Sequence, residues 1–140
     1  MSSIEENKAI ARRFIQVWGK GNLDIIDELA DPSLPVQYPI IPQIIRGSKM
    51  FKQIMESFRS AFPDSDIQIE EEIAEDDKVM IRWSFSGTHN GSLLGIPASQ
   101  KKVNWTGITI YKIVEGKVVQ ERGEEDFLGF LRQIGVVPQV

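Results

Sequence analysis

The chain has 140 residues, of which 41% are hydrophobic and 26% are charged, and this favours one globular domain over residues 1–140. Sixteen Lys and Arg against twenty Asp and Glu give a net charge of -4, so we expect neither nucleic acid nor a membrane as a partner. The chain has no Cys and a single His, which excludes disulfides, thiolate nucleophiles and multi-histidine metal sites, and we expect neither a metal nor a cofactor.

The N-terminal half is predicted to be mainly helical. Ser3-Ile4-Glu5-Glu6 is a capping box, which predicts a helix start, and its acidic residues stand where a signal peptide would carry basic ones. No apolar run approaches the roughly 18 residues of a membrane span, so we expect a cytoplasmic protein. The elements expected here, in order, are a helix over residues 4–18, a short helix over 25–29, a strand over 34–40, and a helix that begins at Gly47-Ser48 and ends before Phe62-Pro63-Asp64.

The C-terminal half is predicted to be a meander of four long strands. Residues 67–73 and 79–85 alternate with period two and form one hairpin, and residues 103–113 and 117–125 form a second across a three-residue loop at 114–116. A last helix should begin after Asp126, its N-cap. Because no crossover helix separates the long strands, the class is α+β, a strongly curved antiparallel sheet with helices on its concave face and a pocket at the mouth of the cone.

The region between residues 64 and 77 holds eight carboxylates and no basic residue. It lacks the glycine-centred loop of a calcium site, so we expect a solvated strand edge that discourages aggregation. Glu71 differs, because it shares strand parity with Ile67, Ile69 and Ile73 and should therefore point to the core side. The alternative is that it reaches water, since it lies near the end of the strand.

The last hairpin carries the strongest candidate for chemistry. A loop at 114–116 places Thr109 opposite Glu121 and puts Glu125 on the same face, among aromatic residues. Such surroundings would raise the pKa of Glu121 toward neutrality and make it a candidate acid and base. The alternatives are that Glu121 is solvated, or that a slip of one residue turns Glu124 and Asp126 to this face instead.

The remaining pocket residues are expected on the inner faces of the helices and strands. They are Phe14, Trp18, Gln37, Tyr38, Phe58, Trp83, His89, Trp105, Thr109, Tyr111 and Glu125. His89 should lie at the inner rim, where its ring either relays protons or only hydrogen-bonds the following loop. Ile108 and Ile110 face the other way, as in a sheet covered by a second subunit, so we expect a homodimer.

Six segments, in order along nearly the whole chain, resemble the SnoaL-like polyketide cyclase family. They are Asn7-Lys8 through Phe14, Gly21-Asn22-Leu23-Asp24, Ala61-Phe62-Pro63-Asp64, Gly87-Thr88-His89-Asn90-Gly91, Leu94-Gly95-Ile96-Pro97 and Gly116-Lys117-Val118-Val119. The resemblance implies an NTF2-like cone, a dimer built on the sheet, a deep apolar pocket and no cofactor. It also implies ring closure by an intramolecular aldol step, in which an acidic side chain of the last hairpin, here Glu121, acts as acid and base.

Two functions therefore compete. The first is a cofactor-independent cyclase or isomerase that acts on an apolar carbonyl compound in an enclosed pocket, with Glu121 exchanging a proton and Tyr38, Gln37 or His89 polarising an oxygen. The second is a non-catalytic protein that binds a small hydrophobic ligand on the same fold. An enclosed Glu121 favours the enzyme, and a hydrated one favours the carrier.

Overall fold

The computed structural model describes residues 3–138. Its elements are α1 (Ile4–Phe14), continued by a 3-10 helix (Ile15–Trp18), α2 (Asp24–Leu29), β1 (Pro35–Gln37), β2 (Ile45–Arg46), α3 (Ser48–Ala61), β3 (Asp66–Glu75), β4 (Lys78–Thr88), β5 (Lys102–Val114), β6 (Lys117–Glu125) and α4 (Phe127–Gln133). None of the helices in the described part of the chain is long and apolar enough to cross a membrane.

The strands form one six-stranded sheet in the order β2-β1-β6-β5-β4-β3, with helices packed on one face. The predicted α+β cone and its meander of long strands are confirmed. Strand β2 was not predicted, because two residues are too few to show a period. All neighbouring strands are antiparallel except β1 and β6, whose parallel pairing sets Val36 beside Glu121. This pairing brings the segment after β1 to the middle of the sheet.

The predicted register of the last hairpin is wrong by two residues. The loop has two residues rather than three, since Glu115 and Gly116 both take positive φ (50° and 80°), which a tight hairpin turn requires. A bulge then adds one residue to β6 before Gln120. The two shifts add up to an even number of residues, so every side chain keeps its predicted face and Glu121 still faces inward. It lies opposite Tyr111 rather than Thr109.

A second bulge overturns the prediction for Glu71. The register of β3 against β4 shifts between Ile69 and Glu71, which reverses the parity of the rest of β3. Glu71 is therefore exposed and pairs with Arg82, while Glu72 turns to the helix side. There it accepts two hydrogen bonds from the Nε of Arg12 (3.0 and 2.9 Å) and one from its Nη2 (2.7 Å). The rest of the acidic stretch is largely at the surface, as expected.

The predicted N-cap of α4 is confirmed, since Asp126 Oδ1 accepts the Gly129 N–H at 2.9 Å. We expect Asp126→Ala to lower the free energy of unfolding by about 1 kcal/mol, because an amide of the first turn loses its partner. Urea unfolding followed by circular dichroism measures the change. Asp126→Asn retains an acceptor oxygen and should cost less, so equal losses in the two variants would contradict the capping role.

Candidate active site

A cavity of about 350 Å³ lies between the helices and the concave face of the sheet. Its wall is mainly apolar and comes from the 3-10 helix, α3, the strands β3 to β6, the start of α4, and the loops around residues 38–41 and 92–94. The lining residues are Trp18, Tyr38, Ile40, Ile41, Gln53, Ile54, Met55, Ser57, Phe58, Ile67, Trp83, Phe85, Ser92, Leu93, Leu94, Trp105, Thr109, Glu125 and Phe127. The volume and lining suit a small, largely apolar molecule.

All three tryptophans of the chain line this cavity, and each donates its indole N–H to a polar residue of the inner sheet face. Trp18 donates to Glu121 Oε2 at 3.1 Å, Trp83 to Thr109 Oγ1 at 3.0 Å, and Trp105 to Glu125 Oε2 at 3.3 Å. Since a buried indole N–H needs a partner, these bonds fix the rings and the polar residues in one arrangement.

Glu121 is fully buried in β6, between β1 and β5. Its Oε2 accepts a short hydrogen bond from the Tyr38 hydroxyl and the bond from Trp18, while Oε1 has no donor among the described residues. Burial raises the pKa of this carboxyl to about 7, although the hydrogen bonds from Tyr38 and Trp18 oppose the rise. Glu121 can therefore gain or lose a proton near neutral pH, as an acid and base should.

Tyr38 connects this carboxyl to the cavity. Its hydroxyl donates to Glu121 and lies 3.1 Å from Thr109 Oγ1, so in this arrangement Thr109 donates to Tyr38. Tyr38 and Thr109 line the cavity, and Glu121 lies behind them. Burial, and then the Glu121 charge, raises the pKa of Tyr38 well above its ordinary value, so Tyr38 stays protonated at neutral pH. The three groups form a continuous path for a proton between the cavity and the buried carboxyl.

Two glycines for which no role was predicted make room for the rings of Tyr38 and Trp83. A Cβ atom on Gly123 would lie well under 3.0 Å from the Tyr38 ring, and one on Gly107 equally close to the Trp83 indole. Both glycines lie inside long strands, with side-chain positions on the inner face. A glycine in a strand interior indicates a close approach, and that was the signal available in the sequence.

Glu125 is the carboxylate that lines the cavity directly. Burial raises its pKa to about 7, against a lowering effect of the Trp105 hydrogen bond. Glu125 is less buried than Glu121, and it lines the cavity. Within residues 3–138, no group of three or more Asp, Glu and His side chains is arranged to hold a metal ion.

Four of the residues expected around the pocket lie away from the cavity wall. Phe14 and Tyr111 are fully buried beneath it, in edge-to-face contact with their ring centres 5.7 Å apart. Gln37 is exposed and borders a groove on the opposite face of the sheet, because it alternates with Tyr38. The other members of the predicted set line the cavity, and they are Trp18, Tyr38, Phe58, Trp83, Trp105, Thr109 and Glu125.

His89, the fourth, is fully buried between Phe62 and Phe130, whose ring centres lie 5.6 and 5.2 Å from its own. Its Nδ1 accepts the Ser99 N–H at 3.2 Å and lies 3.0 Å from the Ser99 hydroxyl, so the ring bonds the following loop, as one of the two alternatives proposed. Burial lowers its pKa. His89 is not part of the cavity wall.

The two raised carboxyl pKa values predict how stability depends on pH. Glu121 and Glu125 have a pKa of about 7 when folded, against 4.5 ordinarily, so between these values the folded chain holds more protons than the unfolded chain. The free energy of unfolding must then fall as the pH rises from 4.5 to 7, by on the order of 3 kcal/mol for the fully buried Glu121.

Urea unfolding of the wild type and Glu121→Gln between pH 5 and pH 8 tests this sign. The lowered pKa of His89 acts in the opposite direction over the same range, and the comparison with Glu121→Gln cancels its effect. We expect the stability of Glu121→Gln relative to the wild type to increase with pH. Curves that stay parallel would show that Glu121 titrates normally.

The sequence and the fold both have known relatives. The model of the SnoaL-like polyketide cyclase family matches residues 8–134. Aklanonic acid methyl ester cyclase DauD from Streptomyces sp. (strain C5) is 27% identical over 133 residues, which cover 90% of this chain and 80% of that protein. Nogalonic acid methyl ester cyclase from Streptomyces nogalater is 26% identical over 125 residues, 86% of this chain and 91% of the relative. The structure of TsrD from Streptomyces laurentii, 26% identical, superposes with a TM-score of 0.85 over 98% of this chain and all of its own.

Proposed function

The chain belongs to the SnoaL-like polyketide cyclase family, as its sequence motifs predicted, and on this premise we propose that it closes a ring in a polyketide-derived carbonyl compound by an intramolecular aldol step, without a cofactor. The observation that carries the proposal is the buried Glu121 carboxyl, hydrogen-bonded to a tyrosine on the wall of an apolar cavity. A carrier of hydrophobic ligands has no need of a carboxyl that titrates near neutral pH.

The proposed reaction is an isomerisation. A base takes the proton from a C–H bond next to one carbonyl, and the resulting enolate carbon forms a C–C bond to a second carbonyl. The oxygen of that carbonyl then takes a proton from an acid, so the substrate loses one proton and gains one. Tyr38 and Thr109 offer hydroxyls at the cavity wall for this oxygen. Glu121 acts through Tyr38, by returning the proton that the tyrosine gives up. In this proposal Glu121 has the acid part of the role predicted from the sequence, one hydroxyl removed from the substrate.

The cavity supplies the rest of the catalysis in this proposal. Acid-base groups contribute about 10²–10⁴-fold, so the larger share must come from holding the flexible substrate folded with its reacting carbons in contact. The aromatic wall is itself well fixed: Trp18 packs edge to face on Phe58 with ring centres 5.0 Å apart, and Trp105 packs on Phe85 at 4.5 Å. A rigid apolar wall of this kind also keeps the polar network dry.

The test uses the substrates for which the relatives are named. Purified protein without added cofactor is incubated with aklanonic acid methyl ester or nogalonic acid methyl ester. The products are separated by chromatography, and their masses are measured by mass spectrometry. We expect a product of unchanged mass and altered retention. If neither ester reacts while apolar compounds still raise the melting temperature, the protein is a ligand carrier.

A homodimer and a cytoplasmic location belong to the same proposal. Ile44 and Ile108, each 39% exposed, border a groove on the outer sheet face together with Ile110 and two prolines, and a second copy would cover these apolar groups. Sedimentation at micromolar concentration should give about twice the 15.9 kDa of one chain, and Ile108→Asp should shift it to the monomer. A wild-type mass near 15.9 kDa would contradict the dimer.

A further inference from the structure

Two carboxylates face inward from β6, and they differ in their access to the cavity. Glu121 and Glu125 are four residues apart on one face of the strand, which separates their Cα atoms by about 13 Å. Gly123 lies between them, and the Tyr38 ring crosses over this glycine. As a result Glu121 lies behind Tyr38, while Glu125 lines the cavity itself.

We propose that Glu125 is a further catalytic residue, whose carboxylate removes the carbon-bound proton, while Tyr38 protonates the new alkoxide at the other end of the reacting pair. This inference rests on the proposed function and divides its two proton transfers between two sites. A proton cannot pass directly from a substrate carbon to Glu121, because Tyr38 and Thr109 stand between Glu121 and the cavity.

The transfers balance. The C–H electron pair becomes the enolate, which forms the C–C bond, and the proton goes to Glu125. The carbonyl π electrons move to the oxygen, which takes a proton from the Tyr38 hydroxyl, and Tyr38 takes one from the protonated Glu121 carboxyl. Glu125 starts ionised and Glu121 starts protonated. The cycle ends when Glu125 releases its proton to solvent at the cavity mouth and Glu121 regains one through Thr109 and Tyr38.

The contacts of Glu125 suit a base. The Trp105 indole N–H holds Oε2 at 3.3 Å, and Oε1 accepts no hydrogen bond from any residue in the described range 3–138, so a lone pair is free to meet the substrate. The cavity wall, as described, includes no Lys, Arg or His, so no cation pairs with this carboxylate. Partial desolvation makes it a stronger base than a surface glutamate, in keeping with its raised pKa.

Hydrogen–deuterium exchange at the substrate's acidic C–H in D₂O measures removal of the carbon-bound proton separately from protonation of the alkoxide. The probe is the methyl ester that the wild type cyclises, with deuterium uptake measured by mass spectrometry and ring closure by chromatography. We expect Glu125→Gln to lower both the exchange and the closure by about 10²–10⁴-fold. Tyr38→Phe should keep the exchange and lose the closure, because the base remains and the proton donor is gone.

Two controls keep a folding defect apart from a chemical one. Glu124→Gln is the matched variant, since Glu124 is exposed on the opposite face of the same strand, and it should react like the wild type. Glu125→Ala should regain exchange when acetate or formate is added, a rescue that a purely structural role would not show. Thermal unfolding of each variant confirms that it is folded.

Three results would overturn the inference. They are undiminished exchange in Glu125→Gln, loss of exchange in Tyr38→Phe, and failure of small carboxylates to rescue folded Glu125→Ala. In each of these cases the wild type still cyclises the ester, so the proposed function stands. If the wild type neither exchanges nor cyclises either ester, the proposed function fails and this inference fails with it.

Discussion

Replacing Glu121 with Gln is expected to lower the rate of ring closure by about 10²–10⁴-fold while leaving substrate affinity nearly unchanged. The amide is isosteric and still accepts hydrogen bonds from Tyr38 and Trp18, but it cannot supply a proton to the tyrosine. Because Glu121 lies behind Tyr38, the loss should appear in kcat rather than in KM. Steady-state kinetics on the cyclised ester measures both values.

The pH dependence of the same variant distinguishes a chemical role from a structural one. The wild-type profile should be bell-shaped, because one carboxyl must be protonated and the other ionised, and both have a pKa of about 7. Glu121→Gln should lose the alkaline limb, which reports the acid. Glu124→Gln is again the matched control. A Glu121→Gln enzyme with wild-type kcat would remove Glu121 from the mechanism.

The second large effect is expected for Gly123→Ala. The added methyl group would lie well under 3.0 Å from the Tyr38 ring, so the ring must move, and its hydroxyl would leave Glu121 and Thr109. Overpacking of this kind costs about 1–3 kcal/mol of stability. The rate of ring closure should fall nearly as far as in Tyr38→Phe, although the substituted residue bears no reactive group.

A double-mutant cycle tests whether this effect passes through Tyr38. If Gly123→Ala acts by displacing the tyrosine hydroxyl, then Tyr38→Phe should slow the Gly123→Ala enzyme very little further, because the hydroxyl is already lost. Gly116→Ala is a control for lost stability alone: Gly116 has a φ of +80°, which alanine adopts only with strain, but its Cβ position meets nothing within 4 Å beyond its chain neighbours, so ring closure should keep its rate. Additive losses in the double variant would show that Gly123 acts by another route.

The inward face of the last hairpin was predictable although its register was not. Side chains alternate along a strand, so the face of Glu121 depends only on whether the register error is odd or even. A shorter loop and a bulge each shift the pairing by one residue, and together they restore the face. In β3 a single bulge has no such partner, and the face of Glu71 was therefore predicted wrongly.

The contacts that define the site could not be predicted from the sequence. Tyr38 and Glu121 are 83 residues apart and meet only because β1 pairs in parallel with β6, a pairing for which three residues of strand give no local signal. The screening of Glu121 by the Tyr38 ring follows from that pairing. The apolar character of the wall was predictable, since the aromatic residues repeat with the periods of their helices and strands.

The indole bonds have a spectroscopic consequence. Each tryptophan donates to a polar residue of the inner sheet face, and for Trp18 and Trp105 that residue is a carboxylate with a pKa of about 7. Ionisation of either glutamate changes the electric field at the ring bonded to it. The native fluorescence of the chain therefore reports the charge state of its own interior, and single-tryptophan versions would follow the two acids separately, without any attached dye.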